Sequence, residues 1–175
     1  MYMAEKPPLK YVSWEDIHKA LAVLSGRVRE TFRPEILVAV AKGGYIPARI
    51  LSDLLNINEI GFIEIKFYRE IGRTREKPVV YQFSLKNIEG RNILLVDDVV
   101  DSARTMQTAT NLLSNFGARE IRSLAIYVKK WSPILPDYYW EVSDKWIVFP
   151  WEVCETTREL GTDLPVGKDI LGYCR

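Results

Sequence analysis

A chain of 175 residues, 47% of them hydrophobic, suits one domain with a real core and is too apolar for a disordered segment. Its 24 Lys and Arg against 23 Asp and Glu leave a net charge of +1, which excludes a broadly basic nucleic-acid-binding surface. Two cysteines, Cys154 and Cys174, are too few for a disulfide framework and lack metal-ligand spacing, so a reduced, cytoplasmic setting is the default.

Met1 to Lys10 holds charges and two prolines and does not read as a signal peptide, and no apolar run approaches the roughly 20 residues of a membrane span. Ser13 with Asp16 three residues on forms a capping box for a helix from Trp14 to about Arg29. Ile17, Leu21, Leu24 and Val28 repeat along it at helical spacing, so that stripe is core; His18, the only histidine, falls on the polar side. Ile36 to Ala41 is a continuous apolar strand, and a helix from about Ile46 to Leu55 follows with Pro47 in its first turn. Phe62 to Phe67 reads as a strand, Tyr68 to Pro78 as a polar loop, and Val79 to Phe83 as the strand returning from it. Ile93 to Val96 is a buried strand, a helix runs from Thr105 to about Phe116, and Ile121 to Val128 is a further strand. This alternation implies an α/β fold, a mostly parallel sheet with helices on both faces. Trp140, Trp146 and Trp151 mark the C-terminal third as a small aromatic-rich lobe. No repeat, low-complexity tract or linker divides residues 1–175, which read as a single domain.

The most informative stretch runs Ile93-Leu94-Leu95-Val96-Asp97-Asp98-Val99-Val100-Asp101-Ser102-Ala103-Arg104-Thr105. Ligands of open α/β sheets bind outside the carboxyl ends of strands, and this turn lies there. Three acids crowd one strand end only where a cation, hydroxyl donors or solvent keeps them ionised. Ser102, Thr105 and the free N–H groups of the next helix turn make a receptor for one phosphate. Carboxylates for sugar hydroxyls beside a phosphate cradle describe a site for a phosphorylated ribose.

This run resembles the phosphoribosyl pyrophosphate signature of the type I phosphoribosyltransferases, with Ala103 where members usually carry Gly. If Ala103 takes a positive φ, it carries a strain that Gly would not. The resemblance covers Ile36 to Glu152 and implies that family's fold, a mostly parallel central sheet with a small C-terminal base-binding hood. In the turn Ala41-Lys42-Gly43-Gly44 it implies a pyrophosphate loop with a strained Lys42–Gly43 peptide. It implies a mobile loop at about 68–78 that closes over the reaction and excludes water, with Arg73, Arg75 and Lys77 as cations for the leaving pyrophosphate. Lys129, ending the strand, corresponds to the lysine that purine-using members direct at the exocyclic oxygen of the base. Residues 144–152 resemble the recognition segment of xanthine–guanine and hypoxanthine–guanine members, where Trp146 would stack on the purine, Ile147 would read its edge and Glu152 would lie close by.

The implied reaction is purine salvage: phosphoribosyl pyrophosphate and a 6-oxopurine base (hypoxanthine, guanine or xanthine) give a nucleoside 5′-monophosphate and pyrophosphate. Asp97 and Asp98 would hold ribose hydroxyls and a magnesium ion (Mg²⁺), directly or through water, and Asp101 would act as base. Ser102, Ala103, Arg104 and Thr105 would bind the 5′-phosphate, and Lys42, Gly43 and Gly44 the pyrophosphate. The family's habit implies a homodimer or homotetramer, while the lack of a long apolar run argues against a membrane partner and the +1 charge against a nucleic-acid partner. Two alternatives stay open at this stage: an adenine-specific enzyme on the same scaffold, and a regulator that senses phosphoribosyl pyrophosphate without catalysis.

Overall fold

The computed structural model describes residues 8–69, 76–160 and 174. A short strand β1 (Leu9–Tyr11) precedes α1 (Trp14–Thr31), β2 (Ile36–Ala41), α2 (Tyr45–Leu55), β3 (Ile60–Arg69) and β4 (Glu76–Ser84). Then follow β5 (Asn92–Val100), α3 (Arg104–Asn115), β6 (Glu120–Lys129), β7 (Tyr138–Ser143), β8 (Trp146–Val148) and α4 (Val153–Leu160). Helix α1 starts where the box fixes it: the Asp16 amide donates to Ser13 Oγ at 3.1 Å and the Ser13 amide to Asp16 Oδ2 at 3.0 Å. His18 is exposed, as its place on the polar side implies.

Six strands form one sheet in the order β4-β3-β2-β5-β6-β7, parallel throughout except for the antiparallel β3–β4 hairpin. The alternation of strand side chains divides the core in two. Leu37, Ala39, Leu94, Val96, Leu124 and Ile126 pack with the α1 stripe and with α2. Ile36, Val38, Val40, Ile93, Leu95 and Ala125 pack on the other face with Met106, Ala109 and Leu113 of α3. Strands buried on both faces need no polar alternation, which explains their continuous apolar runs.

Two expectations are corrected. The polar loop is shorter than Tyr68 to Pro78, because Tyr68 pairs with Lys77 and Arg69 with Glu76, so the hairpin ladder takes in both ends of the segment. Lys77 therefore lies on β4 and is exposed, while Arg73 and Arg75 lie outside the described residues. The two cysteines are joined: Cys154 on α4 is disulfide-bonded to Cys174. The cysteine content then gives no argument for a reduced setting. Among the described residues no helix is long and apolar enough to cross a membrane.

The C-terminal lobe is a second, two-stranded sheet in which β8 lies parallel to β1, with Lys10 opposite Ile147. Val148 and Val153 bury themselves against Leu9, Tyr11 and Leu160, so α4 closes the lobe from below. Phe149 stacks on Trp151 at 4.7 Å between ring centres, and Trp151 meets Trp14 at 5.6 Å. These contacts couple the lobe to α1 and fix the polypeptide that follows β8.

Candidate active site

Neighbouring strands β2 and β5 bring two turns together at their carboxyl ends. In the first, the peptide between Ala41 and Lys42 is cis, one bond before the Lys42–Gly43 peptide singled out from the sequence. The two glycines are required by space. A Cβ on Gly43 would lie 2.4 Å from the Asp98 carboxyl carbon and from both its oxygens. A Cβ on Gly44 would lie 2.3 Å from the Val96 carbonyl oxygen and 2.7 Å from that of Val40. The close approach that glycine permits is thus to the chain itself, and it locks the pyrophosphate-loop candidate against the acidic turn.

In the second turn each acid folds back on the next backbone amide. Asp98 N donates to Asp97 Oδ1 at 2.9 Å, and Val99 N to Asp98 Oδ1 at 2.6 Å. Burial raises both carboxyls: Asp97 lies well above the usual carboxylate range, helped by the charges of Asp98 and Glu152. Asp98 is raised to about 6, with the Val99 amide and the Trp151 indole working in the opposite direction. The Trp151 Nε1–H is buried and finds no acceptor in hydrogen-bond geometry among the described residues. Glu152 is raised to about 7, first by burial and then by the charges of Asp98, Glu155 and Glu159, against the pull of Lys42. Beside them opens a cavity of about 430 Å³ lined by Lys42, Gly43, Lys66, Trp151, Glu152 and Glu155, among others.

Clustered hard oxygen donors that resist ionising together fit a divalent cation, whose charge would release the repulsion. Among the described residues no three acidic, histidine or cysteine side chains converge as a complete ligand set. Two adjacent carboxylates would suit Mg²⁺, a cation that takes one or two carboxylates and completes its shell with water and substrate oxygens. Asp97 and Asp98 are the carboxylates placed for it.

The candidate phosphate cradle sits where α3 begins. Ala103, the residue before the helix, has φ 59° and ψ −2°, so the chain does make the left-handed turn at which Gly would be at ease. No side chain caps this helix, which leaves its first N–H groups to a ligand, with Ser102 exposed and Thr105 half-buried beside them. The Arg104 guanidinium lies 4.5 Å from the centre of the Phe67 ring on β3.

On the far side of the acidic turn, Lys129 ends β6, the strand next to β5, and is buried with 8% of its surface exposed, while Lys130 is exposed. Burial holds the Lys129 ammonium below the usual lysine range, with Asp101 and Asp144 pulling it back up. It donates to the Lys145 carbonyl and lies 5.5 Å from the Trp131 ring and 5.9 Å from the Trp146 ring. Trp146 is exposed and Ile147 is buried. Trp146 N bonds to Pro8 O and Val12 N to Val148 O. Alternate residues of a parallel strand bond to opposite sides, so the Ile147 N–H and C=O face away from β1. Asp101 is exposed and accepts from Trp131 Nε1 at 2.5 Å.

The site residues read from the sequence thus come together at one end of the sheet, apart from the loop cations. Sequence reasoning placed Trp151 in the aromatic-rich segment without giving it a role of its own, missed Trp131, and missed β1, which pairs with β8. Leu9-Lys10-Tyr11 is too short to show a period, and an indole betrays a hydrogen-bonding role only once its neighbours in space are known.

Residues 11–157 match the model of the phosphoribosyl transferase domain. The hypoxanthine-guanine phosphoribosyltransferase of Schizosaccharomyces pombe is 32% identical, the alignment covering 83% of this chain and 90% of that one. The xanthine-guanine phosphoribosyltransferase of Nitratidesulfovibrio vulgaris is also 32% identical, over 81% of this chain and 83% of that one. Among solved structures, a purine phosphoribosyltransferase from Pyrococcus horikoshii superposes with a TM-score of 0.74 at 34% identity, over 82% of this chain and 93% of that one. With its signature turn, the match over residues 11–157 and these relatives, the chain belongs to the phosphoribosyltransferase family, in its purine branch.

Proposed function

We propose that this enzyme transfers the ribose 5-phosphate group of phosphoribosyl pyrophosphate to a 6-oxopurine, hypoxanthine or guanine with xanthine as a further acceptor. The products are the nucleoside 5′-monophosphate and pyrophosphate. One observation carries the choice of base: a buried ammonium, Lys129, stands beside the exposed Trp146 ring at the strand end next to the acidic turn. An ammonium donates to the carbonyl oxygen of an oxopurine and repels the amino group of adenine.

The chain's own residues divide the work. The α3 amides with Ser102, Ala103, Arg104 and Thr105 hold the 5′-phosphate, and Asp97 and Asp98 hold the ribose hydroxyls. Lys42, Gly43 and Gly44 receive the pyrophosphate, with Glu152 at the border between pyrophosphate and base. Trp146 stacks on the purine, the Ile147 backbone reads its edge, and Asp101 takes the proton that leaves the purine ring nitrogen. When bound, Mg²⁺ neutralises charge on the leaving pyrophosphate. The rest is positioning and electrostatic stabilisation of charge that develops on ribose and leaving group. For assembly, a homodimer or homotetramer is the reading. The exposed aromatic side chains Tyr81 and Phe83 of β4, beside Phe116, offer the apolar surface for it.

Initial rates with hypoxanthine, guanine, xanthine and adenine, each with phosphoribosyl pyrophosphate and Mg²⁺, test the reading. Turnover of the oxopurines supports it. Turnover of adenine alone overturns the role of Lys129 and Trp146, and no turnover of any base, with the donor still bound, makes the protein a sensor.

A further inference from the structure

We infer that Trp131 is a positioning residue for catalysis: its indole N–H holds the Asp101 carboxylate in the orientation that receives the purine proton. The inference rests on the assignment of Asp101 as the proton acceptor.

The local sequence Lys129-Lys130-Trp131-Ser132-Pro133 ends β6 in a tight turn. Ser132 N bonds to Lys129 O at 2.9 Å and Lys130 N to Ser143 O at 3.1 Å, so two backbone bonds hold the turn to its own strand and to β7. Trp131 is thereby set on a fixed support with 58% of its surface exposed. An indole ordinarily gains most by burying its ring, and this one does not. What it does instead is reach across 30 residues of sequence to Asp101, Nε1 to Oδ1 at 2.5 Å. On the other side its ring lies 5.5 Å from the Lys129 ammonium. One residue thus connects the acceptor of the proton with the group that faces the base oxygen.

Asp101 needs such a partner. It is exposed, on a turn of small residues before α3, and among the described residues no other side chain donates to its carboxylate. A freely rotating carboxylate presents its lone pairs in many directions, and proton transfer needs one of them within hydrogen-bond reach of the purine nitrogen. With Oδ1 tied to the indole, the carboxyl plane is set and Oδ2 is left for the substrate. Charge-assisted bonds of this kind are the stronger hydrogen bonds of proteins. Trp131 touches no reacting atom in this scheme; it acts through Asp101.

The test is a double-mutant cycle of Trp131→Phe and Asp101→Asn in the full-length enzyme, with hypoxanthine as acceptor. Phe keeps the ring near Lys129 and removes only the N–H. Trp131→Phe is expected to lower kcat about tenfold, the size of one charge-assisted hydrogen bond, with the KM for phosphoribosyl pyrophosphate and the thermal midpoint unchanged. In the Asp101→Asn background, where the carboxylate is already gone, the same change should lower kcat no further. Wild-type kcat in Trp131→Phe, or the same loss in both backgrounds, overturns the inference and leaves Trp131 as a ring beside Lys129 with no part in proton transfer. Wild-type turnover in Asp101→Asn alone removes the proton-acceptor reading, and this inference with it. A loss in Asp101→Asn without one in Trp131→Phe sinks only the role of Trp131.

Discussion

The proposed donor half and the proposed base half of this site are built on different principles. Lys42 to Gly44 and Asp97 to Thr105 follow two adjacent strands of the large sheet, and backbone contacts at 2.3–2.7 Å from a hypothetical Cβ leave no room to move them. Lys129, Trp131 and Trp146 come from the end of β6, from a turn and from a two-stranded sheet apart from the large one, and they meet through side chains. On the proposed assignment, backbone and excluded volume would specify the group common to every reaction of the family, and side chains the variable one. Substitutions should accordingly be catastrophic in the first half and selective in the second.

The largest effects belong to the glycines. Gly44→Ala must push β2 away from β5, because the colliding atoms are the Val96 and Val40 carbonyl oxygens, and it should destabilise the fold by about 3 kcal/mol. Gly43→Ala meets a side chain instead, the Asp98 carboxyl, and so should spare most of the stability. Its turnover should fall by about a hundredfold, since displacing a positioned group by about 1 Å has that consequence. Thermal denaturation beside initial rates separates the two variants. Normal turnover in Gly43→Ala would mean that the donor half tolerates movement, and the contrast between the halves would disappear.

Lys129→Met comes next. The side chain is buried and crosses between two rings, so an apolar residue of similar length keeps the packing and removes the ammonium. The kcat/KM for hypoxanthine and guanine should drop about tenfold to a hundredfold, that for adenine less, and the KM for phosphoribosyl pyrophosphate should stay put. Equal losses for oxopurines and adenine would show that Lys129 serves structure and not choice of base.

The same division explains what could be read in advance. The donor half is contiguous in sequence: strand, acids, hydroxyls and helix start occupy Ile93 to Thr105, and each step has a local physical meaning. The stripe Ile17, Leu21, Leu24 and Val28 was legible for the same reason, and all four are fully buried. The base half was legible only through a family resemblance that pointed to Lys129 and Trp146. Its supports were not. Trp131 meets Asp101 across 30 residues, β1 meets β8 across more than a hundred, and Cys154 meets Cys174 through a pairing that spacing did not announce. The hairpin ends were misjudged because Tyr68 and Lys77 are polar yet pair on an edge, where one face is free to be wet.

A smaller effect, on stability, follows from the crowded acids. Asp97, Asp98 at about 6 and Glu152 at about 7 hold protons more readily in the folded chain than in the unfolded one. Their contribution to stability is therefore complete below the usual carboxylate range and is lost as pH rises, through about 6 for Asp98 and about 7 for Glu152. The ligand-free protein should melt at a higher temperature near pH 5 than near pH 8, beyond the range in which Asp98 and Glu152 titrate. Glu152→Gln should flatten the upper part of that profile. Mg²⁺ with pyrophosphate should raise the midpoint more at the higher pH, where the carboxylates are charged. A midpoint that instead climbs steadily from pH 5 to pH 8 would mean that the acids are not crowded in solution.

The smallest effect should be Ala103→Gly, although this position looks the most anomalous. The left-handed backbone at φ 59° disfavours alanine by about 1–2 kcal/mol, which glycine would recover. Glycine also gives the unfolded chain more freedom, which takes back about 0.5–1 kcal/mol. The Ala103 methyl group is 5% exposed and packs in the core cluster with Val100 and Met106, and losing its burial removes about 0.8 kcal/mol. These terms nearly cancel, so urea denaturation should place Ala103→Gly within about 0.5 kcal/mol of the parent. The phosphate-binding amides stay where α3 puts them, and the donor KM should change less than about twofold, equivalent to that same margin. A gain of more than about 1 kcal/mol would mean that the turn stores strain the methyl group does not offset. A loss of that size would mean that packing beneath the phosphate loop, and not its backbone angle, selects the residue, which would make even this donor position one governed by a side chain.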